Sequence, residues 1–172
     1  DAGDLLQIEA EALMAGIVLD TKNFTMRVGG RTFEAAAFLR RAGADPTEVK
    51  KLMQSDFEST VERYEIISLA QMIRPGISVA AMHKTVNRIT AAQAADELLT
   101  IEGIETSFVM YPDTDKVMIS ARSIGDVNVQ VIMEKLGGGG NAATAGAQIS
   151  GKSVEDVTRM LLGAIDQYFE DE

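Results

Sequence analysis

SARSIGDVNVQVIMEKLGGGGNAATAGAQI, residues 120–149, holds the one strongly unusual local feature of the chain, the consecutive glycines Gly137, Gly138, Gly139 and Gly140. They follow an amphipathic run in which Val129, Ile132, Met133 and Leu136 fall at i, i+3, i+4 and i+7, the spacing of one helix face. Gly125 and Asp126 offer a turn and an N-cap ahead of that helix. Glycine permits positive φ and puts no side chain between backbone N–H groups and an approaching ligand. Successive N–H groups in such a loop form a concave anion site. If residues 141–145 make a short helix, its N-terminus adds partial positive charge at the same spot. Just upstream, KVMISARS alternates as a strand does, which places Ser120 and Arg122 on one face. A hydroxyl and a guanidinium beside a glycine cradle suit a phosphate group. The competing reading is a flexible glycine linker, although structured-looking apolar sequence flanks it on both sides.

The run SARSxGDVNVQxIMEKLGGGG with its A-G-A-Q-I tail resembles the DHH-associated domain of bacterial cyclic-di-AMP phosphodiesterases of the GdpP type, which are DHH-family phosphoesterases. Upstream, GIVLDTKNF (residues 16–24) and GGRTFEAAAFLRRAGAD (residues 29–45) are similar to the last part of the DHH catalytic domain. The resemblance covers nearly the whole chain. It implies a two-metal centre, usually Mn2+, that cleaves a phosphodiester of cyclic-di-AMP to give a linear dinucleotide. It also implies that Asp20, the Asp of GI-x-x-D-T, is a metal ligand, and that Ser120, Arg122, Gly137–Gly140 and Asn141 bind the substrate. Where the family's glycine motif continues with His, this chain has Asn141. The parent proteins carry membrane-spanning and sensory segments before the DHH part, so the expected location is the cytoplasmic face of a membrane. The chain opens inside what reads as a helix, and we expect an excised piece of such a parent.

Composition agrees with a small ligand rather than a nucleic-acid duplex. The formal net charge is −10, with 16 Lys and Arg against 26 Asp and Glu. That balance argues against broad double-stranded DNA binding, which runs on phosphate neutralisation by cations, yet leaves room for a few local arginines. No cysteine is present, hence no disulfide or thiolate metal site. No apolar run reaches the roughly 20 residues of a membrane span, so no membrane contact is expected of these residues.

Taken in order, the pattern predicts a helix over residues 5–19, capped by Asp4, with Leu5, Ile8, Ala12, Ala15 and Leu19 at helical spacing. From the residues alone, Asp20 at its end is a solvated acid facing the negative pole of the helix dipole, unfavourable by about 0.3–1 kcal/mol unless a cation is bound. Asn23, Thr25 and Arg27 read as an alternating segment and Gly29–Gly30 as a turn. Arg27 and Arg31 bracket that turn, as phosphate contacts or as plain surface arginines. Thr32 caps a helix over residues 33–42, and Asp45–Pro46 starts another, Pro standing at the first helical position. Residues 59–73 read as a connecting helix broken by Arg74-Pro75-Gly76. Beyond it we expect a strand at 77–82, a helix capped by Thr90, a hairpin of strands 107–111 and 116–123, the glycine loop, a strand at 146–150, and a final helix behind the capping box Ser153-x-x-Asp156.

The expected fold class is therefore α/β: the helical tail of a DHH domain (residues 1–58), a connecting helix (59–74), and a DHH-associated domain (75–172) of about four strands in a mixed sheet packed by helices. The single histidine, His83, falls outside any ligand-spaced cluster and reads as structural or surface. One candidate ligand, Asp20, does not make a two-metal site, so the fragment alone is expected to be inactive. The alternatives to a substrate-binding part of a cyclic-di-AMP phosphodiesterase are a nano-RNase-like enzyme acting on short linear oligonucleotides and a non-catalytic nucleotide-binding or dimerising module. The expected partners are a cyclic or short linear dinucleotide and a second copy in a homodimer.

Overall fold

The computed structural model describes residues 5–170 and divides into two compact units, Asp1–Ser55 and Asp56–Glu172. The predicted cap Asp4 lies outside the described residues. The boundary falls three residues before the expected one at 58/59.

The first unit is helical: α1 (Gln7–Asp20), α2 (Gly30–Arg41) and α3 (Pro46–Leu52). Both α2 and α3 pack on α1 around a small core of Ala10, Met14, Leu39, Ala44 and Val49. The α3 start is as expected, with Pro46 in the first turn and the Asp45 carboxylate accepting from Thr47 N at 2.8 Å. The inward face of α1 differs from the spacing drawn above. Ala10 and Met14 are buried, while Ile8, Ala12 and Leu19 are exposed. The helix is apolar nearly all round, so periodicity finds a helix there without choosing its face.

Residues 22–27 are not the alternating segment expected of Asn23, Thr25 and Arg27. Lys22, Asn23, Phe24 and Arg27 have φ of 48°, 59°, 62° and 55°, so the chain coils instead of extending. The buried Thr21 organises this turn. Its hydroxyl donates to Ile17 O at 2.7 Å and accepts from Phe24 N at 3.0 Å, and Phe24 then stacks on Phe33 with ring centroids 5.6 Å apart. Gly29–Gly30 starts α2 directly, and Thr32 acts at its third position, accepting from Gly29 N at 3.3 Å.

The second unit is a six-stranded mixed sheet in the order β1-β2-β3-β4-β6-β5, with helices on both faces. Its strands are β1 (Gln71–Arg74), β2 (Gly76–Ala81), β3 (Ile104–Asp113), β4 (Lys116–Ser123), β5 (Gly139–Gly140) and β6 (Thr144–Ser150). Only the β2–β3 pair is parallel, and α5 (Arg88–Leu98) forms its crossover. The connecting helix is shorter than predicted. Here α4 spans Phe57–Ser68 and residues 71–74 form the edge strand β1. Met72 and Arg74 pair with Ser78 and Ile77 across the turn at Pro75, and that pairing outweighs the helical spacing.

Alternation sorts the side chains. Phe108, Met110, Val117, Ile119, Ala121 and Ala147 face α6 (Val129–Lys135) and α7 (Val154–Glu170), forming the larger core. Ala80, Val109 and Tyr111 face α4 and α5 on the other side. Two expected caps move by a few residues. Asn128, not Asp126, caps α6 by accepting from Gln130 N at 3.1 Å, and Asn87, not Thr90, caps α5 by accepting from Ile89 N at 2.8 Å. Thr90 is buried within the helix instead. At α7 the Ser153 hydroxyl accepts from Asp156 N at 3.1 Å, as the capping box requires.

Candidate functional site

The face of the sheet that carries α5 is only half covered. α5 lies over β3 and the near side of β4, which leaves β4, β6 and β5 open beyond it. The result is an open groove of about 640 Å³. One wall is α5 through Arg88 and Ala92, the opposite rim is Gly137–Gly140, and the floor is the open face of β4 and β6.

Register fixes what the floor presents, because residues directly opposite in antiparallel strands share a face. Arg122 lies opposite Thr144, Ser120 opposite Gly146, and Met118 opposite Gln148. Gly139 extends the Ser120–Gly146 row across to β5. The middle of the floor therefore has a hydroxyl and two residues with no side chain. Gly146 leaves no room for one, since a Cβ there would stand 2.8 Å from Ile119 O.

Arg122 is held in place. Its Nε donates to the Asp96 carboxylate of α5 at 2.9 Å, and Nη1 donates to Ala121 O at 2.9 Å. Its side chain is 14% exposed, sequestered against the α5 wall while still lining the groove. Its planar fork suits a phosphate better than an ammonium would.

The glycine run reaches the groove by a different route from the one expected. Gly137 has φ +76° and closes α6: its N–H donates to Glu134 O at 3.0 Å, and Gly138 N–H donates to Met133 O at 2.8 Å. That pair of bonds is a Schellman motif, so these amides cap a helix and do not form an anion nest. Gly139 and Gly140 then pair with β6 as a two-residue edge strand. Residues 141–145 are not helical either. Asn141 N donates to Thr144 O at 2.8 Å, and Asn141 Oδ1 accepts from Ala143 N at 3.0 Å and Thr144 N at 2.9 Å, closing a tight turn. Asn141 has become the hinge of that turn and does not line the groove.

The four glycines differ in what they tolerate. A Cβ on Gly138 would lie 2.1 Å from Gly146 O, and one on Gly140 would lie 2.3 Å from Thr144 O. Gly139 meets nothing within 4 Å, because its open side faces the groove.

The structure thus brings Ser120, Arg122 and Gly137–Gly140 to one groove. Asp20, Arg27 and Arg31 belong to the first unit, all three exposed, with Asp20 as the last residue of α1. Among the described residues no group of three or more His, Cys, Asp or Glu side chains is placed to hold a metal ion. Asp20 alone does not fit a two-metal centre. His83 is exposed, with Nδ1 3.4 Å from a Glu155 carboxylate oxygen. Among the groove residues that the sequence reading did not single out are Arg88, Tyr111, Met118, Thr144, Gly146 and Gln148. Alternation along KVMISARS marked Met118 as a neighbour of Ser120 on the same face, and only strand register adds Tyr111 and Gln148 to it.

Residues 75–171 match the DHHA1 domain. The chain belongs to the DHHA1 family. It is 47% identical over 169 residues to the cyclic-di-AMP phosphodiesterase GdpP of Geobacillus thermodenitrificans (strain NG80-2), covering 96% of this chain and 26% of that protein. To the cyclic-di-AMP phosphodiesterase PdeA of Listeria monocytogenes serotype 1/2a (strain 10403S) it is 43% identical, with the same coverage. The DHHA1 chain spans about a quarter of the length of these curated relatives. An exopolyphosphatase-related protein from Bacteroides fragilis shares its fold at a TM-score of 0.85 and 17% identity, over 97% of this chain and 52% of its own. RecJ from Thermus thermophilus, solved in complex with Mn2+, matches at a TM-score of 0.51 and 12% identity, over 96% of this chain and 24% of its own. These two likenesses concern the fold alone. Among the described residues no helix is long and apolar enough to cross a membrane.

Proposed function

We propose that this DHHA1 chain is the substrate-binding part of a metal-dependent phosphodiesterase that hydrolyses cyclic-di-AMP to a linear dinucleotide. The observation that carries the reading is the groove, which sets the Arg122 guanidinium, the Ser120 hydroxyl and the bare Gly139–Gly146 floor along one strand face. A phosphate seated there accepts from Arg122 and Ser120, and the glycines let the sugar–phosphate backbone come close. The similarity to GdpP and PdeA supports cyclic-di-AMP as the substrate.

Bond cleavage belongs in this reading to a whole protein with Mn2+ ions, of whose ligands this chain contributes Asp20. The whole protein is membrane-anchored through other segments and faces the cytoplasm, and a homodimer is part of the same proposal. Arg27 and Arg31 are its further phosphate contacts.

Binding without turnover is the outcome that separates this reading from a self-sufficient nuclease. The chain is titrated with cyclic-di-AMP and with linear diadenylate by calorimetry, then incubated with each in the presence of Mn2+ and the products resolved by chromatography. We expect saturable binding of both and no turnover. Failure to bind either would overturn the substrate-binding role. Turnover that scales with chain concentration and survives repurification would show a catalytic centre complete in these residues.

A further inference from the structure

The helix α5 is placed by its polar contacts more than by its packing. Its buried face is Thr90, Ala91, Ala94, Ala95 and Leu98, of which only Leu98 is a large apolar side chain. A face of small residues comes close to its neighbours but offers few ridges to fix its rotation and height. Contacts that do fix them gather between Gln93 and Glu97. From the sheet, the Ser107 hydroxyl donates to Ala95 O at 2.6 Å. Arg122, opposite Ser107 in the strand register, donates through Nε to Asp96 at 2.9 Å. From α4 comes Arg63. Its Nη1 donates to Gln93 Oε1 at 3.3 Å, and its Nε stands 2.9 Å from a Glu97 carboxylate oxygen, an ion pair without hydrogen-bond alignment.

Gln93 and Glu97 stand at i and i+4 and so share one face of α5. Asp96, the residue before Glu97, is turned from it by about 100°. The successive carboxylates therefore serve two elements, Glu97 meeting α4 and Asp96 meeting β4. Arg63, Glu97, Asp96 and Arg122 form a chain of charges through the groove wall. The two arginine side chains are only 16% and 14% exposed, so neither pair is a solvent-screened surface contact. Without Arg63, the part-buried Glu97 carboxylate loses this cation and stands beside the like charge of Asp96. The turn of α5 that carries both then relaxes toward water.

We propose that Arg63 is a positioning residue for Arg122. By holding Gln93 and Glu97 it fixes the α5 turn that presents Asp96, and Asp96 in turn sets the Arg122 guanidinium. Arg63 does not itself line the groove, so its effect on a ligand passes through Arg122. The consequence for binding rests on the dinucleotide reading of the groove; the placement of Arg122 does not.

The first readout needs no ligand. In the isotopically labelled chain, Arg63→Met and Glu97→Gln should each shift the Arg122 Nε–H signal and speed its exchange with solvent by about threefold or more. Arg63→Lys keeps the charge and should recover most of the wild-type signal. Val157→Ala truncates the core on the opposite face of the sheet. It should lower the melting temperature and leave the Arg122 signal in place, which separates positioning from general loosening. The second readout is calorimetry with linear diadenylate. Arg63→Met should weaken binding about three- to tenfold in the wild-type background and not at all in Arg122→Ala. An Arg122 signal unmoved in both Arg63→Met and Glu97→Gln would overturn the proposal. So would an equal displacement of that signal in Val157→Ala, or equal weakening by Arg63→Met in both backgrounds. If the wild-type chain does not bind diadenylate, the dinucleotide reading falls, and the Arg122 signal alone confirms or overturns the positioning role.

Discussion

Asp20 and Arg122 are two of the charged residues to which the sequence attaches chemistry, and the fold treats them differently. Asp20 ends α1 exposed, and among the described residues no group of three or more acid or imidazole side chains is placed to hold a metal ion. Arg122 is on a central strand with its guanidinium held by Asp96, opposite Thr144 and in line with Ser120. A lone acid at a helix end becomes a ligand only when other side chains converge on it. A cation fixed by a second-element partner and set beside a side-chain-free floor is already a binding surface. On the reading proposed above, the chemistry within these residues is recognition, and the bond-breaking step belongs to the whole protein.

That contrast breaks most visibly at Asp20. In a catalytically complete protein carrying this chain, Asp20→Ala should lower hydrolysis by at least about two orders of magnitude. In the chain itself it should leave dinucleotide affinity unchanged. Parental hydrolysis with saturating Mn2+ would remove Asp20 from the metal centre.

The glycine edge offers the next largest effect. Gly138→Val must displace the Gly146 carbonyl and should cost about 1–3 kcal/mol or more in urea unfolding. Gly139→Val, at the next residue along the same edge, meets nothing and should unfold like the wild type while obstructing the groove. Equal stability losses in the two would mean that Gly139 does not face open space.

Arg122→Ala removes a charge-assisted bond to phosphate and should weaken cyclic-di-AMP by about 1.5–3 kcal/mol, with a smaller salt dependence in calorimetric titrations. An unchanged affinity would assign Arg122 to the Asp96 pair alone.

The smallest effect is expected at Asn141, which serves the turn through its Oδ1. Asn141→His places a titrating group beside the glycine edge. Protonation below pH about 6.5 adds positive charge, so affinity should rise a few-fold as pH falls through that value, whereas Asn141 itself contributes no such step. A flat profile in the histidine variant would show that position 141 is too far from the anion to matter.

How far the sequence reveals all this varies with the residues. In α7, Val154, Val157, Leu161, Ala164 and Tyr168 stand at helical spacing against a polar opposite face, and all five are buried as that spacing requires. In α1 the apolar residues run round the helix, and the buried face is Ala10–Met14 rather than the Ile8–Ala12–Leu19 stripe. β4 is legible to the residue because KVMISARS alternates between a half-buried face and a buried one. β5 is not, since two glycines carry no side-chain pattern and are a strand only through their pairing with β6. Ser120 and Arg122 share a strand and so share a face in the sequence itself. Arg88, Tyr111 and Gln148 join them only through strand register and the crossover of α5, which are long-range facts that no local pattern encodes.

On the proposed reading the anion site is the open face of β4, β6 and the glycine edge. Amide chemical-shift mapping of the isotopically labelled chain during titration with linear diadenylate tests it most directly. Saturable shifts at Ser120, Arg122, Gly139, Thr144 and Gly146, with the Arg122 Nε–H signal moving in step, are the predicted result. Saturable shifts confined to residues outside the groove, with those amides unmoved, would contradict it.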